Sequence, residues 1–257
     1  MRPATLYFHG LPGSAAELAA FGSVTAQSLG YVHVVARSDA LAAGSVEEYF
    51  KRLAVHIMQQ YPDQTLALIG FSLGAAAALR VAPHLGDRVQ QIDLVSPAAP
   101  LGLGDFLDGM AGAPVFRAAL AGRVPFAALT FVQTQAARLA PHKMAAALMA
   151  KARGVDRVLA ADPRFIASLA QSLRTSLIDQ RAAYKAEIRA YVSDWRAELA
   201  KVHQPVAIWQ GSEDDWTPPA MAEALAAALP GCPQLTVLAG FSHFSTLRQY
   251  LGEAAPA

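Results

Sequence analysis

The sequence predicts an α/β fold: a doubly wound, mostly parallel sheet of six strands, interrupted after the fourth by an all-helical insertion. Three observations predict it. Short apolar runs alternate with longer Ala-rich stretches from Thr5 to Ser96. Between Ala98 and about Val202 the strand pattern gives way to helical periodicity, and two further strands follow before the C-terminus. Strand–helix alternation builds right-handed crossovers and hence parallel pairing. Near-continuously apolar strands are what a sheet needs when helices cover both its faces.

The strand runs, in order, are TLYFHG (5–10), YVHVVARSD (31–39), TLALIGFS (65–72), QQIDLVSP (90–97), QPVAIWQG (204–211) and LTVLAG (235–240). The helix between the last two opens at Thr217-Pro218 and stops at Pro230-Gly231, the usual start and stop signals. Inside the insertion, Asp162-Pro163 reads as an N-cap followed by proline at the first helical position, and Gly102, Gly104, Gly109 and Gly112 mark a loose entry segment. The expected division is therefore a core of residues 1–100 and 203–257 and a helical cap of residues 101–202. No repeat of solenoid length and no low-complexity linker is present.

Composition narrows the function classes. Of 257 residues, 54% are apolar and 16% charged, with mean hydropathy +0.27, enough burial to offset the entropy of ordering the chain. Lys plus Arg number 21 against 20 Asp plus Glu, which lacks the basic excess of a nucleic-acid surface. The charge is uneven: residues 101–201 carry 14 basic and 8 acidic side chains, a net +6, and the remainder is −5. A basic insertion could steer an acidic ligand, but a charge run more often solvates a helix face. One cysteine, Cys232, excludes an internal disulfide, and no Cys/His spacing suits zinc, so neither metal nor cofactor is expected. The apolar stretch Ala4–Phe8 ends at His9, too short for a signal-peptide core. The run Leu66–Leu79 falls short of the ~20 residues of a membrane span and contains Gly70, Ser72 and Gly74. A cytoplasmic location without a membrane span is the expectation.

Chemistry concentrates in LALIGFSLGAAAALRVA, where Gly70-Phe71-Ser72-Leu73-Gly74 joins an apolar strand to an Ala-rich helix. The pentapeptide alone arises readily in a chain with 18 glycines; its strand–helix context makes it a nucleophile elbow. There a serine sits on a sharp turn with Oγ exposed, and glycines let neighbouring backbone approach. The helix start beside Ser72 favours any anion formed nearby. Acyl transfer by serine also needs a base and a carboxylate to orient it. In a parallel sheet, residues just past the strand C-termini gather along one edge. Gly211-Ser212-Glu213-Asp214-Asp215 follows one late strand and Phe241-Ser242-His243-Phe244 the other. The order Ser72, Asp214, His243 is that of one serine-hydrolase fold.

With these pieces and His9-Gly10-Leu11-Pro12-Gly13 after the first strand, the chain resembles the α/β-hydrolase family with a helical cap over nearly its whole length. The resemblance implies Ser72 as nucleophile, His243 as base, Asp214 as orienting acid, and an oxyanion hole from the backbone N–H groups of Leu11 and Leu73. The first strand begins near Met1, so the family's leading antiparallel hairpin is missing and six strands result. Serine at the elbow disfavours the haloalkane dehalogenase and epoxide hydrolase branches, which place aspartate there. The activity implied is hydrolysis of a small, partly apolar carboxylic ester, with a small-molecule acyl substrate as partner and no nucleic acid; the oligomeric state is left open. Acyl transfer, thioester hydrolysis and carbon–carbon bond hydrolysis use the same triad, and a non-catalytic ligand-binding protein is the rival of another class.

Other residues have plainer readings. His9, at the end of a buried strand, is expected to hold its loop by hydrogen bonding. Asp215 competes with Asp214 for the acid role, and Glu213 should face solvent. His33, His56, His84, His142 and His203 lack acidic companions at ligand spacing. Among Phe106, Met110, Phe116, Phe126, Phe131, Met144 and Met149, most should pack the cap and about one in four should face a ligand.

Overall fold

The computed structural model describes residues 3–14, 16–19, 32–34 and 45–253. Six strands form one sheet: β1 Ala4–Phe8, β2 Val32–Val34, β3 Leu66–Phe71, β4 Val89–Val95, β5 Val206–Gly211 and β6 Gln234–Leu238. Their order is β2-β1-β3-β4-β5-β6, and every pairing is parallel. The second strand expected over 31–39 is described at Val32–Val34; Tyr31 and residues 35–39 lie outside the described residues.

Strand order reverses at β1. The chain steps outward to β2, then returns to place β3 on the other side of β1. At such a switch point the connections leave in opposite directions and open a crevice beyond the strand C-termini. Register aligns those ends, with Phe8 opposite Gly70, Phe71 opposite Val95, and Gly211 opposite Leu238. The loops after β1, β3, β5 and β6 therefore share one rim.

Helices α1 Ala16–Ala19, α2 Val46–Gln60 and α3 Leu73–Leu85 lie between the early strands. In α2, Ser45 caps the N-terminus by accepting from the Glu48 N–H, and Leu53, Ala54 and Ile57 turn inward. Helix α3 is buried on every side from Leu73 to Ala82; its alanines let it lie close against the sheet under α2. Near the C-terminus, α10 Pro219–Ala228 and α11 His243–Glu253 complete the core layers.

Between β4 and β5 the chain forms helices joined by short turns and no strand. It runs through single turns at Leu101–Leu103 and Leu107–Gly109, then α4 Ala113–Leu120, α5 Arg123–Leu139, α6 Pro141–Met149, α7 Asp156–Ala160 and α8 Pro163–Arg174. A π-helical turn, Thr175–Asp179, leads into α9 Arg181–Val192, and Arg196–Lys201 closes the insertion. Asp162 caps α8 as its sequence signature predicts, accepting from the Arg164 N–H at 2.8 Å.

Buried Arg80 of α3 anchors this insertion. Its guanidinium donates to both carboxylate oxygens of Glu198 at 2.7 and 2.9 Å and to the Ala190 carbonyl at 3.0 Å, and stacks over the Phe50 ring. Such a fork holds a carboxylate in one orientation and stacks on a ring face, which the flexible ammonium of lysine cannot do together. Among the described residues no helix is long and apolar enough to cross a membrane.

Candidate active site

The turn after β3 is held in an unusual conformation. Ser72 has φ 54° and ψ −126°, a left-handed geometry costly for a residue with a Cβ. Hydrogen bonds fix it: the Ser72 N–H donates to Val95 O at 3.0 Å, and its carbonyl accepts from Ala75 and Ala98, both at 3.1 Å. The flanking glycines are required by space. A Cβ on Gly74 would stand 2.0 Å from the Phe8 carbonyl oxygen, and one on Gly70 would stand 2.6 Å from Ala75 Cα. Ser72 thus closes β3 and opens α3, with its side chain at the rim.

Asp214 and His243 meet there from β5 and β6. His243 Nδ1 lies 2.9 Å from Asp214 Oδ2, both residues being buried. The other carboxylate oxygen accepts from the Trp216 and Thr217 N–H groups, each at 2.9 Å, a local turn in which aspartate bonds its own downstream backbone. The Thr217 hydroxyl sits 3.1 Å from Asp214 Oδ2 and 2.9 Å from the Ser96 carbonyl. Burial alone would raise the Asp214 pKa, but the His243 imidazole and the Thr217 bond outweigh it and hold the carboxyl below its ordinary range. For His243, burial acts to lower the pKa, the Asp214 carboxylate overcomes it, and Asp156 and Glu17 add to the same direction, leaving the imidazole above its usual value. Aromatic rings fix the imidazole plane: Trp216 stacks at 5.7 Å, Phe71 lies at 4.7 Å, and Phe244 meets it edge-on at 5.2 Å.

The loop after β1 forms the facing wall. His9 Nδ1 donates to the Gly10 carbonyl at 2.7 Å, in keeping with a loop-holding role. The Gly10 N–H donates to buried Glu17 at 3.1 Å. Ser176, in the π-helical turn, brackets Gly13 by donating to its carbonyl at 2.7 Å and accepting from its N–H at 3.0 Å. Among the described residues neither the Leu11 nor the Leu73 N–H has a protein acceptor, and Leu73 begins α3, where first-turn amides have no partner within the helix.

Ser72 borders two hollows that also share Leu11, Pro12, Leu148 and Trp216 in their walls. One, of about 310 Å³, is lined by Ser72, His243, Glu17, Phe71 and Phe244 among others. The second, of about 620 Å³, extends under the insertion from Ser72, Leu11 and Leu73 to Phe116, Gln133 and Tyr184. No hydrogen bond joins Ser72 to His243 among the described residues; in unliganded sites such bonds are commonly long and tighten when substrate binds.

The structure separates the competing carboxylates: Asp215 pairs with Arg153 at 3.4 Å, while Glu213 is exposed. His56 is bonded to Gln60, His142 and His203 are exposed, and the side chain of His33 lies outside the described residues. Among the described residues no group of three or more His, Cys, Asp or Glu could hold a metal ion. Of the seven apolar cap residues, Phe116 and Met144 line the larger hollow, Phe106, Met110, Phe126 and Met149 are packed inside, and Phe131 is 58% exposed. The basic residues of the insertion face elsewhere, since none of them lines either hollow.

Asp156 was not singled out by the sequence. It is 1% exposed and opens α7, yet its carboxylate accepts from the Ser245 N–H at 2.7 Å and the Phe244 N–H at 3.1 Å. It therefore satisfies the unpaired amides of α11 just where that helix begins at His243. Val155 N–H donates to Gly240 O at 2.9 Å. Beside it Gly154 has φ +48° and no room for a Cβ, which would lie 2.2 Å from that same oxygen. The segment from Arg153 to Asp156 thus joins the acid turn to the histidine turn. Its only sequence signal is an acidic residue near a helix start, which any solvent-facing helix shares.

Fold and site together define an α/β architecture with a strained serine, a carboxylate-paired histidine and, among the described residues, two amides without a protein acceptor around one cleft. A family description for the α/β-hydrolase fold matches residues 4–247, and the chain belongs to that family. Among curated protein sequences none matches it. Similar solved structures include a bromoperoxidase from Bacillus anthracis, 15% identical with TM-score 0.64, covering 99% of this chain and 90% of that one. An esterase from Exiguobacterium antarcticum is 17% identical with TM-score 0.61, covering 98% and 92%. The enol-lactonase from Burkholderia xenovorans LB400 is 15% identical with TM-score 0.65, covering 99% and 89%. At these identities the likeness is one of fold.

Replacing Asp156 with Ala should destabilise the protein by about 2 kcal/mol, since two buried amides lose a charged acceptor. Urea unfolding of parent and variant measures this; an unchanged midpoint would mean that the α11 amides find another acceptor.

Proposed function

We propose that this protein is a serine hydrolase that cleaves a small, partly apolar carboxylic ester through an acyl-enzyme. Residues 1–100 and 203–257 serve as its catalytic core and residues 101–202 as its cap. The observation that carries this reading is the buried Asp214–His243 pair at 2.9 Å, opening on the same hollow as the strained Ser72.

In this mechanism Asp214 accepts the Nδ1–H of His243, which leaves Nε2 unprotonated toward the cleft. As Ser72 Oγ attacks the ester carbonyl carbon, Nε2 takes the hydroxyl proton. The N–H groups of Leu11 and Leu73 donate to the resulting oxyanion, and two preorganised donors in a water-poor site are worth several kcal/mol to such a transition state. Collapse expels the alcohol, which leaves with the proton held by His243. Water then attacks the acyl-enzyme, gives its proton to His243, and Ser72 leaves with that proton as the acid product forms.

The walls favour a neutral acyl group. Aliphatic and aromatic side chains dominate both hollows, and among the described residues Glu17 is the one carboxylate lining them. Among the described residues of these walls, an anionic substrate such as a phosphate-bearing thioester would find no Lys or Arg. Charge on the insertion surface can act only at long range, where salt screens it.

Ser72→Ala should lower kcat for a short p-nitrophenyl ester by about 10⁶-fold, as loss of a triad nucleophile does; a variant as fast as the parent would contradict the assignment. The pH dependence gives a second test. Activity requires neutral His243, so kcat/KM falls as pH drops through its pKa, which Asp214 holds above the usual histidine value. Asp214→Asn should reduce kcat by about 10⁴-fold and move the remaining acid limb to lower pH. A limb that stays in place or moves upward would show that Asp214 does not set the histidine.

A further inference from the structure

Helix α5 is turned inside out. Its buried face carries the hydroxyls of Thr130 and Thr134, which are accommodated there because they donate to the Phe126, Thr130 and Leu177 carbonyls at 2.8, 2.7 and 3.0 Å. Its outer face is apolar. Between Arg123 and Arg138 the exposed residues are Val124, Pro125, Ala127, Ala128, Phe131 and Val132, and Leu139 follows. Val124, Ala128, Phe131 and Leu139 recur at helical spacing and so share one side of the helix. Val124 is 79% exposed and Leu139 83%. A surface helix ordinarily turns polar residues to that side, and a contiguous exposed apolar face marks an interaction site.

The charge around this face has one sign. Residues 109–155 hold six Lys and Arg and no Asp or Glu, while 101–108 and 156–201 together hold eight of each. The whole +6 of the insertion therefore sits on the segment that contains α4, α5 and α6. Arg117 pairs with Asp108, and Arg153 with Asp215. Arg123, Arg138 and Lys143 are exposed and, among the described residues, make no ion pair. Arg123 stands at the start of α5, Arg138 at its end, and Lys143 in the first turn of α6, so cations flank the apolar stripe at both ends.

A second copy of the chain fits this face poorly. Pairing α5 with α5 sets basic ends against basic ends in either orientation. One helix face, about 25 Å long and about 10 Å wide, also offers far less than the roughly 800 Å² per partner of a stable interface. An anionic bilayer matches both features. The apolar side chains enter the acyl boundary, and the flexible Arg and Lys stems carry their charges to the phosphates at headgroup level.

We propose that the outer face of α5, with Arg123, Arg138 and Lys143 at its ends, docks on the surface of an anionic lipid bilayer. The helix lies on the membrane and does not cross it. Because α4, α5 and α6 contribute Phe116, Gln133 and Met144 to the wall of the larger hollow, docking places that wall next to the bilayer. The inference stands apart from the serine-hydrolase reading, since lipid binding involves no catalytic group.

The test mixes the full chain with vesicles of phosphatidylcholine, or of phosphatidylcholine with phosphatidylserine, and reads the bound fraction by flotation. The chain should float with the phosphatidylserine vesicles and not with phosphatidylcholine alone, and binding should fall as salt rises. Replacing Arg123 and Arg138 together by Gln should weaken it about 25-fold, at roughly fivefold for each cation near an anionic surface. Replacing Phe131 and Leu139 together by Ser should weaken it at least about tenfold while the urea midpoint holds, since both side chains are exposed. The proposal is overturned if anionic vesicles leave the chain behind, if neutral vesicles bind it equally, or if either pair of substitutions leaves binding as in the parent. Sedimentation showing a dimer that Phe131→Ser disperses would also overturn it, because a second copy then covers the face. Binding to polyglutamate without binding to any vesicle would do the same, with an acidic polypeptide as the occupant.

Discussion

A carboxylate removed from water beside a removed imidazole is the constraint around which the rest of this structure is arranged. Burying either group alone is expensive, and the pair persists only when every remaining lone pair finds a donor. Asp214 meets that requirement within four residues, through the Trp216 and Thr217 N–H groups and the Thr217 hydroxyl. The turn that supplies these donors must in turn lie against the histidine loop. Gly211 permits it, since a Cβ there would stand 2.5 Å from the Phe241 carbonyl oxygen. Adjacent parallel strands β5 and β6 then deliver Asp214 and His243 to one rim without any long excursion of the chain.

The insertion belongs to this arrangement as much as the sheet does. Ser176 holds Gly13 in the loop that carries Leu11, and Ser172 meets Ser14 at 3.2 Å. Asp156 caps the helix that starts at His243, and Arg153 pairs with Asp215 beside the acid. The elements that cover the cleft therefore also set the backbone from which its polar groups project. An insertion fastened at so many points around the rim favours one cleft shape over a range of shapes.

Much of this was legible in the sequence because its signals are local. The strand runs, the Gly-x-Ser-x-Gly turn and the short segments ending at Asp214 and His243 each occupy a few consecutive residues, and parallel topology alone says that they share an edge. Asp162 capping α8 was equally readable. Asp156, Ser172 and Ser176 were not, because each is an ordinary polar residue on a helix and acquires meaning only from contacts far away in the chain. The bond from Asp156 to the Ser245 N–H spans 89 positions, and that from Ser176 to Gly13 spans 163. Charge was legible only as a total: the net basic count of the insertion is visible in sequence and reads most simply as a solvated face, but which face carries the arginines depends on how the helices pack. Phe131 shows the same limit, since helical spacing cannot say that its side of α5 meets solvent.

Whether Ser72 is activated by His243 is decided by covalent labelling. A fluorophosphonate should add to the native chain once, and peptide mass spectrometry should place the adduct on Ser72, with His243→Ala slowing the labelling by orders of magnitude while leaving the protein folded. Equal labelling in that variant, or an adduct on any other side chain, would contradict the account.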